Sequence, residues 1–286
     1  MGAQVEEKED EFVVTAPNGM KGALIELEYP SVGATETILF AAVMAQGRTV
    51  IKNAAIEPEI ISLLMMLQKM GAIIGRGVGR QIEIVGVKKM TGCTHRVIAD
   101  RLEAASFACL ALATRGEIFC EGAGHSAMIT FLNSVRLIGG EYEVTPDGVW
   151  FRGSDSYKGI QLETDTHPGF ATDWQQPFVV VLTQAEGTSV IHETVYEERF
   201  GYTDTLKAMG ADIRATHALS DHQPLSDALM TRMLREARAM GAQVVTTEKD
   251  AVRLPPALRA QVMTVPVRLR IADWGPLDAG LDRVTG

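Results

Sequence analysis

The 286-residue chain contains no run of 18 or more apolar residues, so nothing in it reads as a membrane-spanning helix. Its N-terminal segment VEEKEDE is acidic where a secretory leader is basic and then apolar, and a cytoplasmic location is the expectation. No G-x-x-x-x-G-K-S/T loop occurs, which removes P-loop binding of ATP. Cysteine is scarce: Cys93, Cys109 and Cys120 are odd in number, show no C-x-x-C spacing and sit in apolar or strand-like contexts. Buried free thiols fit that pattern better than a disulfide framework or a metal site, and no metal or cofactor is expected. Basic charge is short as well, with 27 Lys and Arg against 36 Asp and Glu and a formal charge of −9. Nucleic acid and anionic membranes are held mainly by Lys and Arg, so neither is an expected partner. A small anionic substrate in a local basic pocket stays open.

What the chain does have is repetition, at a period of about 70 residues. A turn glycine recurs as Gly47 in AQGRTVI, Gly116 in TRGEIFC and Gly187 in AEGTSVI, at spacings of 69 and 71. A second marker keeps the same phase, a helix-ending glycine turn at Gly2, Gly71, Gly139-Gly140 and Gly210. Each copy spells a small-residue apolar helix, a strand, an amphipathic helix and two strands. Ile60, Leu63, Leu64 and Leu67 fall at i, i+3, i+4, i+7 and share one helix face. The first helix of a copy is apolar nearly all round, through Phe107, Cys109, Leu110 and Leu112, which predicts a place inside the protein. Asp147-Gly148 between EYEV and VWF predicts a tight hairpin turn built on positive φ angles. A unit with one helix face and one sheet face cannot bury both alone, so the copies are expected to pack around central helices with sheets outside.

The third copy breaks off near Ile213, where the composition changes. Residues up to Ile213 carry 17 basic and 28 acidic side chains, and the last 73 carry 10 and 8. After the seam Lys249 stands alone against nine arginines. There SDHQPLSDALMTRMLREARAMG reads as a turn and an amphipathic helix, with Ala228, Met230, Leu234 and Ala237 among its apolar positions. QVVTT follows as a strand, and Pro255-Pro256 as a break. The whole reads as a small β-α-β tail.

Five clusters carry possible chemistry. Ser31 to Thr35 opens the first apolar helix, where free backbone N–H groups suit a phosphate or are simply capped by Ser31 or Thr35. The stretch from Asp165 to Phe178 is rich in special residues and offers Asp173 as a general base, or else Thr172 or Asp173 as a helix cap. Arg199 has the fork to hold a carboxylate or phosphate, or a plain ion pair with Glu197 or Glu198. Asp100, Arg101 and Glu103 open the second helix, where acidic charge suits a helix start. In the tail, Asp221 and His222 adjoin as an acid–base pair and Lys249, Asp250 and Arg253 lie at a strand end, with capping by Ser220, Asp221 or Thr247 as the alternative. GRGVG at Gly75 to Gly79 is a hairpin turn and no dinucleotide fingerprint, because a strand follows it. His95, His125, His192 and His217 are scattered and receive no role.

The strings PSVGATETILFAA, NAAIEPEI, ADRLEAASF, HPGFATDWQQPF and HETVYEERFGYTDTLKAMGAD give residues 2–213 a resemblance to the UDP-N-acetylglucosamine 1-carboxyvinyltransferase family of enolpyruvyl transferases. The resemblance implies a partial inside-out α/β barrel with helices central and sheets outside. Residues 1–95 and 96–213 would belong to its two domains. It implies enolpyruvyl transfer from phosphoenolpyruvate to UDP-N-acetylglucosamine, as the opening step of peptidoglycan synthesis. Ser31, Val32 and Gly33 would then contact the UDP portion and Asp173 the sugar hydroxyl. Val195 and Tyr196 would line the nucleotide sugar, with Arg199, Asp100 and Glu103 supporting the cleft. The family's Lys-Asn pair, its Cys-bearing loop and its phosphoenolpyruvate arginines find no match, which predicts a form truncated at both ends and poorly active or inactive. Residues 214–286, through SDHQP, MGAQVVTTEKDAVRLP and VMTVPVRL, are similar to the end of the tetraacyldisaccharide 4′-kinase family, whose Asp-His pair would fall on Asp221 and His222. A non-catalytic UDP-sugar binding module and a kinase fragment or fusion artefact are the alternative expectations. Exposed repeat ends predict self-association.

Overall fold

The computed structural model describes residues 1–196, 198–216, 227–239, 245–247, 254, 256–261 and 263–265. The chain divides into two compact units, Met1–Ala218 and Leu219–Gly286. Among the described residues no helix is long and apolar enough to cross a membrane.

The first unit begins with an antiparallel hairpin of β1 (Gln4–Glu7) and β2 (Phe12–Thr15). The first repeat then runs β3 (Leu24–Glu26), α1 (Val32–Ala42), β4 (Arg48–Lys52), α2 (Pro58–Lys69), β5 (Ile73–Arg76) and β6 (Ile82–Val85). Its strands form one sheet in the order β3-β4-β6-β5. Helix α1 turns Thr35, Leu39 and Ala42 onto that sheet at helical spacing. Thr35 is buried but satisfied: its hydroxyl donates to Ser31 O at 2.7 Å and accepts from Ala55 N at 2.9 Å. Helix α2 starts with Pro58 at its first position, where no N–H is needed, and buries Ile60, Leu64 and Leu67. Leu63 of the same expected face is half-buried.

The second repeat is α3 (Arg101–Thr114), β7 (Glu117–Glu121), α4 (Ile129–Ile138), β8 (Glu141–Thr145) and β9 (Gly148–Arg152), with its sheet ordered β7-β9-β8. Two short strands, β10 (Tyr157–Lys158) and β11 (Gln161–Glu163), lead to the third repeat. That repeat contributes α5 (Thr172–Leu182), β12 (Ala185–Glu186), β13 (Val190–His192) and α6 (Tyr202–Ala208). Strands β10 and β11 pair in parallel with β12 and β13. The repeat order expected from the sequence is therefore present, and the helix-ending glycines Gly71, Gly139 and Gly210 carry φ values of 93 to 99°. Only glycine adopts that region without strain.

Two interiors result. Leu39, Ile51, Ile60, Leu64, Ile82 and Ile84 make an aliphatic core inside the first repeat. The second and third repeats share another, in which Phe131, Phe151, Phe170, Trp174 and Phe178 meet with α3 packed on α5. Ala104, Ala105, Ala108 and Ala111 keep the α3 side slim where the helices approach.

Four local expectations need correction. Helix α3 is not buried all round: Cys109 and Leu112 are inside, whereas Phe107 is 50% and Leu110 54% exposed, because α5 and the sheet cover only one side. The β8–β9 turn is Pro146-Asp147, without positive φ at either residue, and Gly148 opens β9 opposite Thr145. Gly148 itself has φ 157°, and a Cβ there would stand 2.2 Å from Cys120 O, so backbone conformation and strand approach both call for that glycine. Cys93 is exposed and Cys120 only partly covered, leaving Cys109 as the one buried thiol of the three. In the second repeat the left-handed turn position falls on Arg115 (φ 55°) instead of Gly116.

The second unit holds α7 (Asp227–Ala239), β14 (Val245–Thr247), α8 (Pro256–Arg259) and β15 (Met263–Val265). Strands β14 and β15 are parallel, as a β-α-β crossover requires, and Leu234 and Leu254 are buried with Met233 and Leu258 against them. Asp221, His222, Lys249, Asp250 and Arg253 lie outside the described residues.

Candidate functional site

The site is assembled at the start of α5. Its N-cap residue is Ala171, which has no capping side chain, so neither Thr172 nor Asp173 closes the helix end as a cap. Both side chains turn to the 193–199 loop instead. Thr172 Oγ1 donates to Glu193 Oε2 at 2.7 Å, and Gln175 Nε2 donates to the same oxygen at 3.0 Å. The other Glu193 oxygen accepts from the backbone N–H groups of Val195 and Tyr196 at 2.9 and 3.1 Å. Gln175 Oε1 in turn accepts from Tyr202 OH at 2.6 Å. Burial and the Glu193 charge hold the Tyr202 phenol well above its ordinary pKa. One carboxylate thus fixes the backbone that carries Val195 and Tyr196 against α5.

Asp173 pairs through Oδ1 with the guanidinium of Arg199. Arg199 also stacks over the Tyr196 ring, 5.1 Å from its centroid. The expected partner of Arg199 among its neighbours was Glu197 or Glu198; Glu197 lies outside the described residues, and the ion pair goes to Asp173 across 26 positions of sequence. Asp173 is 49% exposed, and its Oδ2 has no hydrogen-bond partner among the described residues. An oriented carboxylate with one free oxygen at a helix start is suited to accept a hydroxyl proton.

The other helix starts converge on this one through named links. Trp174 Nε1 donates to Arg101 O at 3.3 Å, and the Arg101 guanidinium lies 5.1 Å over the Trp174 ring. Arg101 also grips Glu59 with two bonds of 2.9 and 3.2 Å, which ties the start of α3 to the start of α2. Arg80 reaches from the β5–β6 hairpin to Thr166 Oγ1 at 3.0 Å and His167 O at 2.5 Å. Tyr29, just before α1, sits in the field of Tyr196, Glu57, Glu193 and Asp165. Burial first, then those charges, push its phenol up to about 12. His167 is held below the usual imidazole range, chiefly by burial and then by the Arg101 charge. It lines a pocket of ≈ 240 Å³ with Ser126, Ala127, Ile129, Thr130 and Pro168.

Ser31 is the N-cap of α1, its hydroxyl accepting from Ala34 N at 3.2 Å. Among the described residues the amides of Val32 and Gly33, in the first turn of α1, have no hydrogen-bond acceptor. Asp100 is likewise a cap, with Oδ1 accepting from Leu102 N at 2.7 Å and Glu103 N at 3.2 Å. Asp100 and Glu103 line a second pocket with Phe107, Phe119 and Cys120. Sequence reasoning named neither Glu193 nor Tyr29, Glu57 and Arg80. Glu193 had a local signal, an acidic side chain two and three residues before the amides it accepts from; the others are placed only by the fold. His95, which received no role, meets Ser62 Oγ at 3.0 Å and Lys69 Nζ at 3.4 Å. Among the described residues no group of three or more His, Cys, Asp or Glu is placed to hold a metal ion.

The starts of α2, α3 and α5 are thereby tied to one another, with Tyr29 before α1 in the same field. The chain belongs to the EPSP synthase (3-phosphoshikimate 1-carboxyvinyltransferase) family, which it matches over residues 1–248, past the seam at Ile213. It is 56% identical over 218 residues to UDP-N-acetylglucosamine 1-carboxyvinyltransferase of Protochlamydia amoebophila, covering 74% of this chain and 47% of that protein. The corresponding protein of Chlamydia muridarum is 49% identical, with 76% and 49% covered. The chain thus spans about half the length of these curated relatives. Its fold is similar to the enolpyruvyl transferase NikO from Streptomyces tendae, with a TM-score of 0.66 at 20% identity, over 73% of this chain and 52% of that one.

Proposed function

We propose that this chain binds UDP-N-acetylglucosamine in the cleft at the α1 and α5 helix starts. It would there support enolpyruvyl transfer from phosphoenolpyruvate to the sugar 3-hydroxyl, the first step of peptidoglycan synthesis. The observation that carries this reading is Asp173, oriented by Arg199 through one oxygen and open at the other. In the proposed reaction the sugar hydroxyl gives its proton to Asp173 as its oxygen bonds to C2 of phosphoenolpyruvate, and C3 takes a proton from solvent. Return of a C3 proton to solvent with cleavage of the C2–O bond to phosphate restores the double bond, and the released phosphate takes the proton held on Asp173. Ser31, Val32 and Gly33 contact the UDP portion, the Val32 and Gly33 amides holding the diphosphate beside the Ser31 cap, and the Val195 and Tyr196 backbone lines the sugar. Arg199, Asp100 and Glu103 support the cleft.

In this reading residues 1–95 and 96–213 are parts of the two transferase domains. The residues that grip phosphoenolpyruvate in the resembled family have no counterpart in this sequence. Electrostatic stabilisation of that substrate is usually the largest catalytic contribution, so these 286 residues alone bind the sugar nucleotide and turn over little. Calorimetry with UDP-N-acetylglucosamine tests the binding, and absence of heat at millimolar ligand overturns it. Phosphate release at about 1–10³ s⁻¹ with both substrates overturns the low turnover.

Residues 214–286 carry a second reading, a lipid A kinase-like segment, supported by the strings MGAQVVTTEKDAVRLP and VMTVPVRL and by a unit that packs on its own. ATP-dependent phosphorylation of a tetraacyldisaccharide is its test. Separate neighbouring genes in the DNA across Ile213 would make the join an artefact.

A further inference from the structure

The three copies of the repeat are not finished alike. In the first, β3 lies parallel to β4, with Leu24, Ile25 and Glu26 opposite Val50, Ile51 and Lys52. Val50 N donates to Ala23 O at 2.9 Å, and Leu27 N to Lys52 O at 3.1 Å. In the third, β11 lies parallel to β13, with Gln161, Leu162 and Glu163 opposite Val190, Ile191 and His192. The same two bonds recur there, from Val190 N to Ile160 O and from Thr164 N to His192 O, each 2.9 Å. Counted from the turn glycines Gly47, Gly116 and Gly187, the equivalent positions of the second repeat are Phe119, Cys120 and Glu121 on β7.

Among the described residues no strand stands beside these three, because β7 is an edge of the β7-β9-β8 sheet. The bonds from Gly153 N to Gly116 O and from Gly122 N to Asp147 O set the phase of its ladder with β9. Phe119 and Glu121 therefore turn their backbone N–H and C=O groups away from β9, and these take no partner among the described residues. The stretch before α3 does not fill the place that β3 and β11 fill before α1 and α5. It lies along α2, where Thr91 N donates to Met70 O, Cys93 Sγ to Met66 O, and His95 meets Ser62. Between β7 and α3 the place is an open groove of ≈ 490 Å³, lined by Asp100, Glu103, Phe107, Phe119, Cys120 and Glu121.

Charge decides what kind of strand fits. In the two filled places a basic side chain of the repeat meets an acidic one of the added strand: Lys52 lies 3.5 Å from Glu26, and His192 lies 3.1 Å from Glu163. The second repeat has Glu121 at that position, so the sign is reversed. Asp100 and Glu103 add to it, and no Lys, Arg or His lines the groove. A strand like β3 or β11 would set two carboxylates side by side, which argues against a second copy of this chain offering either one. At the middle position the filled places hold Ile25, half-buried, and Leu162, buried.

We propose that the groove takes an extended segment of a partner polypeptide, added parallel to β7, with an aliphatic side chain opposite Cys120 and a Lys or Arg opposite Glu121. The proposal does not depend on the UDP-sugar reading. Its test is fluorescence anisotropy with two labelled peptides added to the full chain, residues 22–28 (GALIELE) as they stand and the same peptide with Glu26→Lys. The lysine peptide is expected to bind saturably and roughly fivefold more tightly than the unchanged one. In the Glu121→Lys protein, altered at an exposed position, the preference is expected to reverse, an outcome that a misfolded variant could not give. Hydrogen exchange at the Phe119 amide is expected to slow when the lysine peptide is added. No saturable binding, equal preference in wild type and Glu121→Lys, or an unchanged Phe119 amide would each overturn the proposal. Protection of Phe119 that rises with protein concentration without peptide would assign the edge to a second copy, and would overturn it as well.

Discussion

The first repeat and the pair formed by the second and third are built from the same elements but have different interiors. The first closes around aliphatic side chains alone, with α1 laid on its own sheet. The paired repeats bring α3 against α5 and fill the space with Phe131, Phe151, Phe170, Trp174 and Phe178, whose rings meet at 5.4 to 6.2 Å between centroids. Such tilted and edge-on contacts add to area burial. On α1 the side away from its sheet keeps Phe40 56% exposed, and Met44 just beyond the helix is similarly open. A repeat can bury its sheet face unaided, but its helix acquires a second covered side only from another repeat.

Substitutions probe that difference at descending scale. Trp174→Ala is expected to cost most, about 3–5 kcal/mol in urea denaturation, because it opens the aromatic core and removes the platform under Arg101. Leu39→Ala in the first repeat is expected to cost roughly 2–5 kcal/mol by the cavity it leaves. A single shared transition shifted by both variants would mean that the two interiors unfold together, and separate transitions would mean that each repeat group stands alone. Arg101→Lys keeps the charge but loses the fork on Glu59 and the planar stacking, and about 1–2 kcal/mol is expected, read as partial uncoupling of those transitions.

Smaller effects follow at the surface. Phe40→Ser with Leu110→Ser is expected to change stability by about 0.5 kcal/mol per site or less, and to shift sedimentation toward monomer if the exposed helix faces drive self-association. The smallest effect is the pH response of His167. Its folded-state pKa lies below the ordinary value, so the unfolded chain binds more protons as pH falls through about 6.5, and stability drops on acidification. His167→Asn is expected to flatten the melting-temperature profile between about pH 7.5 and 5.5, and an identical slope in both proteins would assign that loss to other groups.

Much of this was readable along the chain. The repeat order, the helix-ending glycines, the GRGVG hairpin and the cap at Ser31 are decided by neighbours within a turn or two, and so they leave a local mark. Asp173 and Arg199 were also visible as chemistry-bearing residues, but not as partners. The exposed sides of α1 and α3 were misjudged because an apolar helix looks the same whether one neighbour covers it or two. Arg80 carried no signal, since its reach to Thr166 and His167 is a property of the folded surroundings.

The amino-acid order by itself determined which helices and strands form and in what sequence, because caps, glycine turns and apolar spacing act over a few residues. Which charge meets which was settled only in three dimensions. Arg199 finds Asp173 across 26 positions and Arg101 finds Glu59 across 42, although acidic residues stand beside each arginine in the sequence. An ion pair depends on approach and desolvation rather than on proximity along the chain, and only the packed repeats supply those.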